Sequence, residues 1–301
     1  MKYTHSVLVS FLLLPLLASA QDFAGQFPFQ KSGRCIHFYY KHSSPEVDNL
    51  GRFCDAYVAL VNRDFFNTDF DYPITAYVLE DKTQFQQFLT ENFNVSNPPN
   101  YGIYLSKYKC FATYEGSGLG TFTHEILHPL IAQNLKNCPF WAIEGIPTFF
   151  EKFYGYWQND QLIVYWGYQN PWRIQELGDN LTKLDLRKVV ADEALDGRPV
   201  EQSESAWRMA SVFLWQQNKF KRFLDLVAAG NTDGYPSYFE AAMQMSVDQI
   251  IPIWQQYLDA VAAHRAAILN LPVSQIFSSE QEFDDFVRSQ HIPPPSTSGS
   301  Q

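Results

Sequence analysis

Several features are scarce or missing in this chain of 301 residues, and each absence excludes a class of protein. The 22 lysines and arginines are outnumbered by 32 acidic residues and form no basic block, so nucleic acid and anionic membranes are poor partners. Beyond residue 20, no apolar run approaches the roughly 20 residues that a membrane-spanning helix needs. We therefore expect no nucleic-acid partner and no membrane anchor.

The first 20 residues have the composition of a secretory signal peptide. Lys2 precedes an apolar run, and Ala18-Ser19-Ala20 forms a small-residue cleavage site before Gln21. We expect an exported protein, periplasmic or extracellular. The remainder is long enough for one large domain or two small ones, and the 46% hydrophobic content of the whole chain predicts a well-filled core.

Cysteine is also scarce, and no C-x-x-C pair supports a cysteine-based metal site. The even count of four in an exported chain suggests two disulfides, for which three pairings are possible. We favour Cys35–Cys54 together with Cys110–Cys138, because the second bond would clamp the two ends of the segment described next. The glycine-rich residues 116–120 lack the lysine of a phosphate-binding loop, so we expect a flexible approach to that segment or a loop beside a substrate cleft.

The chemistry is concentrated in residues 121–151, where His124, Glu125 and His128 stand in the order H-E-x-x-H. Residues four apart on a helix share a face, so both imidazoles can reach one metal ion. Glu144 can supply a third ligand, and Glu125 is then free to act as a base. A catalytic zinc site has three protein ligands and one open position. The pattern therefore predicts one Zn²⁺ per chain.

A chance H-E-x-x-H on a solvated helix is the alternative interpretation. The neighbouring residues are too apolar for such a helix: Phe122, Ile126, Leu127, Leu130 and Ile131. Pro129 predicts a kink at or after His128. Glu151 lies seven residues after Glu144, on the same helical face, and either orients a ligand histidine or is a solvated or ion-paired glutamate.

Periodicity predicts a mixed first half and a helical second half. After an irregular leader at 21–33, strands are expected at 35–40, 73–79, 101–105, 110–114 and 161–168. Helices are expected from Ser44-Pro45, from Asp81 and around the motif. From Ser203 onward the chain reads as helices, with Gly230 as a stop and Ser246–Gln249 as a capping box.

Two motifs, at 124–128 and Trp141-x-x-Glu144-Gly145, resemble those of gluzincin-type, peptidase MA-like zinc metallopeptidases of secreted bacterial proteins. The resemblance spans residues 34–265 and is specific at the two motifs. It implies an α+β, zincin-like domain at 34–270. Its mixed N-terminal lobe has a small β-sheet and extends to residue 136. The motif helix is the active-site helix, and the C-terminal lobe from 139 is mainly helical. A C-terminal segment, 271–301, follows and has a low-complexity tail from 292 that we expect to be disordered.

The resemblance also implies a function. A zinc metallopeptidase would hydrolyse a peptide or protein substrate with Glu125 as general base and His124, His128 and Glu144 as zinc ligands. No segment resembles the Gly-Ala-Met-Glu-Asn exopeptidase motif of related aminopeptidases, so we expect an endopeptidase. A metzincin is disfavoured because Ile131 stands where that family has glycine.

The sequence departs from the family pattern at two places. Trp207 stands where relatives often carry a tyrosine, so another group must stabilise the oxyanion; the candidates are Tyr235, Tyr238 and Arg208. Pro147 follows Glu144 by three residues, which a helix tolerates if Glu144 lies in its first turn.

These departures keep two other functions open. One is a catalytically degenerate protein that retains zinc and only binds partners. The other is a metal-free, exported interaction module in which the motif is accidental. No oligomeric state is predicted.

Overall fold

The structure is a computed structural model that describes residues 20–41, 43, 45–66 and 74–290. Residues 1–19 of the predicted signal peptide, the helix cap at Ser44 and the tail from 292 lie outside these residues. Within the described part of the chain, no helix is both long and apolar enough to cross a bilayer.

The first half of the chain contains a five-stranded sheet with the strand order β1-β2-β3-β5-β4. Strands β2, β3 and β5 are parallel to one another, and the two edge strands, β1 and β4, run antiparallel to β2 and β5. The strands are β1 (Phe29–Ser32), β2 (Ile36–Tyr40), β3 (Ile74–Leu79), β4 (Gly102–Leu105) and β5 (Cys110–Tyr114). The prediction of an irregular leader at 21–33 is wrong, because β1 pairs with β2 along its whole length.

Helices cover both faces of this sheet. They are α1 (Pro45–Val61), α2 (Lys82–Phe93) and α3 (Leu119–Asn134). Side chains alternate along a strand, so β5 directs Phe111 into the core shared with α1 and α3, whereas Cys110 and Ala112 face the smaller core under α2. The motif helix α3 and helix α2 therefore lie on opposite faces of the sheet.

The rest of the chain is mainly helical and includes a second sheet. Its elements are α4 (Phe140–Phe150), β6 (Tyr154–Gln158), β7 (Gln161–Tyr165), α5 (Pro171–Leu177), α6 (Leu186–Val189), α7 (Glu204–Gln216), α8 (Phe220–Ala229), α9 (Tyr238–Met243), α10 (Val247–Ala263), α11 (Arg265–Leu269), β8 (Gln275–Phe277) and α12 (Glu280–Ser289). Strands β6 and β7 form a hairpin, and β8 adds in parallel beside β6. The α+β class is thus confirmed, while β8 and α12 were not predicted.

Helix ends in this half follow from local sequence. The Ser203 side chain accepts from the backbone N–H of Ala206 and begins α7. Gly230, at a φ of 64°, ends α8 in the left-handed conformation that glycine tolerates. The capping box of Ser246 and Gln249 is present at the start of α10, as predicted.

Two prolines lie inside the helices that carry the motifs. Helix α3 continues past Pro129 to Asn134. Helix α4 begins at Phe140, so Glu144 is its fifth residue and lies in the second turn, which contradicts the expectation of the first turn. Pro147 cannot donate to the carbonyl of Ile143, which lies one turn earlier. Ile143 is 42% exposed, so water can reach this part of the helix.

The structure corrects the prediction of two disulfides, because all four cysteines are free thiols. Cys110 faces the core under α2, whereas Cys138 packs against the main core on the other face of the sheet, so the sheet separates the two sulfurs. Cys35 and Cys54 share the main core, and burial raises the pKa of both thiols. Protonated thiols are poor nucleophiles for disulfide exchange.

Candidate metal site

His124 and His128 lie one turn apart on α3 and share a face, as their spacing predicts. Their ring centroids are 5.0 Å apart. One ligand atom from each, together with a carboxylate oxygen of Glu125, all lie within 4.8 Å of one another. His124 is 7% exposed, so the group sits where few waters compete for a cation.

Glu144 on α4 faces the same point. Its Oε2 lies 3.3 Å from Nε2 of His124 and 3.6 Å from Nε2 of His128. A zinc ion about 2.0–2.1 Å from each of two tetrahedral ligands places those ligand atoms about 3.3 Å apart. Both distances from Oε2 of Glu144 are therefore close to the spacing of zinc ligand atoms. Glu125 is also near, but Glu144 is the carboxylate that contacts both Nε2 atoms, which makes it the better third ligand.

Close helix packing fixes the position of Glu144. A Cβ added to Gly145 would lie 3.0 Å from the Trp141 ring and 3.2 Å from Oγ of Ser211 on α7. The Ser211 hydroxyl donates to the Gly145 carbonyl at 2.7 Å. The residue after Glu144 must therefore be small, because α4 and α7 cross at this point. This contact explains the glycine of the second motif.

Glu151 orients the first histidine from the opposite side. Its Oε1 lies 2.9 Å from Nδ1 of His124, which leaves Nε2 directed toward Glu144 and His128. A carboxylate on the distal ring nitrogen is the usual outer partner of a metal-bound histidine. The contact fits the orienting role, and Glu151 is also ion-paired, with Arg173.

Helix α5 and the residue before it hold Glu151 in place. Arg173 donates to both carboxylate oxygens of Glu151, through Nε and Nη2, and Asn170 donates to Oε2 at 3.1 Å. Arg173 is 4% exposed and also forms an ion pair with Glu204. Burial opposes ionisation of Glu151, but Arg173 and His124 lower its pKa to about 2. Glu151 is therefore a fixed negative charge.

Backbone contacts complete the support. A Cβ on Gly120 would lie 2.7 Å from the carbonyl oxygen of Glu151, so α3 approaches the end of α4 as closely as glycine permits. The same carbonyl accepts from the Ser274 hydroxyl at 2.6 Å. Gly120 therefore supports the site through this close contact. For its glycine-rich segment, the sequence had predicted a flexible approach or a loop beside a substrate cleft.

We expect Glu151→Gln to weaken zinc binding by about 10- to 100-fold, the usual effect of removing an outer-shell partner. The amide lacks the charge that holds His124, and it leaves Arg173 with a weaker partner. Competition with a fluorescent chelator would measure the affinity, and Glu193→Gln, an exposed carboxylate outside the site, is the matched control. Circular dichroism would report whether the variant is folded. Unchanged affinity in folded Glu151→Gln would mean that Glu151 has no role in orienting His124.

The electrostatics of the two histidines differ. Burial opposes protonation of His124, but hydrogen bonds to Glu144 and Glu151 raise its pKa well above the ordinary value. Burial lowers the pKa of His128 to about 4, so this ring is neutral and has a lone pair available. Tyr104 of β4 stacks on His128 with ring centroids 5.8 Å apart and an interplanar angle of 12°.

Glu125 lies beside the ligand set under the edge strand β4. A Cβ on Gly102 would lie 2.7 Å from its Oε1, so the strand backbone passes directly over this carboxylate. Burial raises the pKa of Glu125 to about 8, and the nearby charges of Glu144 and Glu204 act in the same direction. A base near neutral pKa at the wall of a cleft is suited to proton transfer.

A cleft of about 690 Å³ opens over these residues. One wall comes from β4 and the residues before it, and the floor comes from α3 and α4. Ile131, Ala132, Leu135, Cys138 and Ile143 line an apolar part of it, and Lys136 and Glu204 also reach it. The volume is in the range of sites for extended small ligands.

The structure does not bring the predicted oxyanion candidates to this cleft. Arg208 is fully buried and donates to the carbonyl of Tyr168 at 2.6 Å. Tyr235 and Tyr238 pack against the main core and are not among the residues that line the cleft. Trp207 packs edge-on against Phe140 with ring centroids 5.6 Å apart.

Three residues of the site have no signal in the sequence: Tyr104, Arg173 and Glu204. Tyr104 is one aromatic residue in a short strand, and Arg173 and Glu204 open helices far along the chain. Only the fold brings them within reach of residues 124–151.

In comparisons with known proteins, no family model matches this chain and no match is found among curated proteins.

Proposed function

We propose that the protein is a metal-dependent hydrolase. The observation that carries this proposal is the contact of Glu144 Oε2 with Nε2 of both His124 and His128, at 3.3 and 3.6 Å. Two imidazoles and one carboxylate are the donor set of a catalytic zinc site with an open position. More particularly, we propose a zinc-dependent metallopeptidase of the gluzincin type with a zincin-like fold, exported and acting as an endopeptidase.

The chain's own residues have separate tasks in this reaction. His124, His128 and Glu144 would hold Zn²⁺, which supplies a Lewis acid that polarises a peptide carbonyl and acidifies an adjacent water. Glu125 accepts the proton of the attacking water and delivers it to the leaving amine. Glu151 and Arg173 keep His124 in the tautomer that presents Nε2 to the site.

The fold supports a peptide as the substrate. The cleft runs over the H-E-x-x-H helix, with the edge strand β4 on one side and α3 and α4 as its floor. Its lining combines an apolar part with convergent polar groups, as sites for organic ligands do. The resemblance of the two sequence motifs to peptidases of this type agrees with this assignment.

Removal and return of the metal tests the proposal. We expect the purified protein to contain one zinc per chain and to cleave internal bonds in a mixture of denatured proteins. A chelator should abolish cleavage, and stoichiometric zinc should restore it. Elemental analysis and mass spectrometry of the products would measure both. Cleavage that survives complete removal of zinc would contradict the proposal.

A zinc-binding protein without turnover is the second candidate. It is favoured by one observation: none of Arg208, Tyr235 and Tyr238 lines the cleft where an oxyanion would form. One zinc per chain without cleavage of any substrate in the same experiment would support this candidate.

A further inference from the structure

Two exposed aromatic side chains meet beside the cleft, next in sequence to Gly102, which lines it, and to Arg173, which pairs with the cleft residue Glu204. Tyr101 is 52% exposed and immediately precedes Gly102 of β4, and Trp172 is 43% exposed on α5. Their ring centroids are 6.3 Å apart. Large aromatic residues are normally buried, so a pair that meets on the surface marks a place where a ligand can contact both rings.

The contacts continue from Trp172 to an acidic side chain. The guanidinium carbon of Arg173 lies 3.7 Å from the Trp172 ring centroid, and its Nη2 lies 2.6 Å from Oε2 of Glu204. The same guanidinium also donates hydrogen bonds to both carboxylate oxygens of Glu151. Two carboxylates thus share one cation. The Glu204 side chain is 44% exposed and reaches the cleft, so its negative charge is only partly compensated.

Glu125 also lines the cleft, close to these residues. Gly102, next to Tyr101, passes over Glu125. We call the residues joined by these contacts the acidic end, of which Gly102, Glu125 and Glu204 line the cleft: Tyr101, Gly102, Glu125, Trp172, Arg173 and Glu204. Lys136 is the only Lys or Arg among the residues that line the cleft, whereas Glu125, Glu144 and Glu204 line it as well.

We propose that the acidic end binds a cationic group of the substrate, with Glu204 as the residue that sets this specificity. The proposal rests on the peptidase function proposed above. Aromatic faces attract ammonium and guanidinium groups, and a carboxylate hydrogen-bonds them strongly. An apolar side chain at the same place would remove water from Glu204 without replacing its hydrogen bonds, which is unfavourable. The cation is therefore a Lys or Arg side chain close to the cleaved bond, or the α-ammonium of a peptide.

A series of quenched fluorescent peptides tests this specificity. The peptides are identical except for one residue, which is Lys, Arg, Gln, Met, Glu or Phe, and this residue is moved in turn through each position near the cleaved bond. Each peptide is made with a free and with an acetylated N-terminus. For the zinc-loaded wild type, we expect kcat/KM for the Lys or Arg peptide to exceed that for the Met peptide by about 10- to 100-fold at one position, the range of a hydrogen bond between charged groups. A preference that acetylation removes identifies the α-ammonium as the cation.

The Glu204→Gln variant separates recognition from structural support. If Glu204 binds the substrate cation, the ratio of kcat/KM between the Lys and Met peptides falls toward one. If Glu204 acts only structurally, through Arg173 and Glu151, the variant would lower kcat/KM for all peptides alike and leave the ratio unchanged. Tyr101→Ala changes only an exposed ring and should reduce the same ratio less strongly. Glu193→Gln is the matched control and should keep the wild-type ratio.

The outcomes distinguish the two proposals. If the zinc-loaded wild type cleaves none of the peptides and no protein, the peptidase function itself fails. If it cleaves peptides but prefers Phe or Met to Lys and Arg, the function stands and the cationic subsite is overturned. An unchanged Lys-to-Met ratio in Glu204→Gln also overturns it.

Discussion

Glu125→Gln should retain zinc and lose turnover by about 10²- to 10⁴-fold, the contribution of a positioned acid–base group. The amide has almost the same shape as the carboxylate, so it still fits under the backbone of Gly102, which approaches Oε1 closely. It cannot accept a proton from water, however. The measurement is kcat/KM on a cleaved peptide together with zinc content by elemental analysis.

Two comparisons give this result its meaning. Glu91→Gln, a matched change on the exposed side of α2, should leave kcat/KM unchanged. Loss of zinc together with turnover in Glu125→Gln would place Glu125 among the ligands instead of the acid–base groups. Wild-type turnover with zinc retained would show that the acid–base group is elsewhere.

His128→Ala should weaken zinc binding by more than the roughly 100-fold that outer-shell changes cause, because it removes one of three direct ligands. A ligand that binds only the folded state stabilises it, by about 2.7 kcal/mol at a concentration 100 times its Kd. Added zinc should therefore raise the Tm of the wild type and leave that of His128→Ala unchanged. Differential scanning calorimetry with and without zinc would measure the difference.

The matched control is His264→Ala, which removes an exposed histidine at the end of α10. This variant should keep the full zinc-dependent rise in Tm. An equal rise in His128→Ala would mean that the metal binds elsewhere on the chain, and the ligand set proposed here would be wrong.

Local spacing was enough to predict part of the candidate site. His124 and His128 share a helical face because they are four residues apart. Glu151 was singled out by its distance of seven residues from Glu144, and it lies 2.9 Å from Nδ1 of His124. These predictions concern residues on two consecutive helices, where sequence distance and spatial distance are closely related.

Residues brought in by the path of the chain could not be predicted in this way. Arg173 reaches Glu151 only because the hairpin of β6 and β7 returns the chain to the end of α4. Strand β8 pairs with β6 across more than 100 residues, and a strand of three residues has too short a pattern to identify. The disulfide prediction counted cysteines, but the sheet between Cys110 and Cys138 is a property of the whole fold.

The hydroxyl of Ser274, near the C-terminal end of the described residues, supports the candidate metal site. It donates a hydrogen bond to the carbonyl of Glu151, which lies 123 positions earlier in the chain. The carbonyl of Pro272 accepts hydrogen bonds from Lys152 and Tyr154. During synthesis, these groups emerge after every proposed metal ligand. A chain that stops before them has both histidines, Asn170 and Arg173, but it lacks the hydrogen bond to the carbonyl of Glu151. The C-terminal part of the described chain therefore contributes hydrogen bonds to the support of the proposed metal site, and a truncation before Pro272 would remove them.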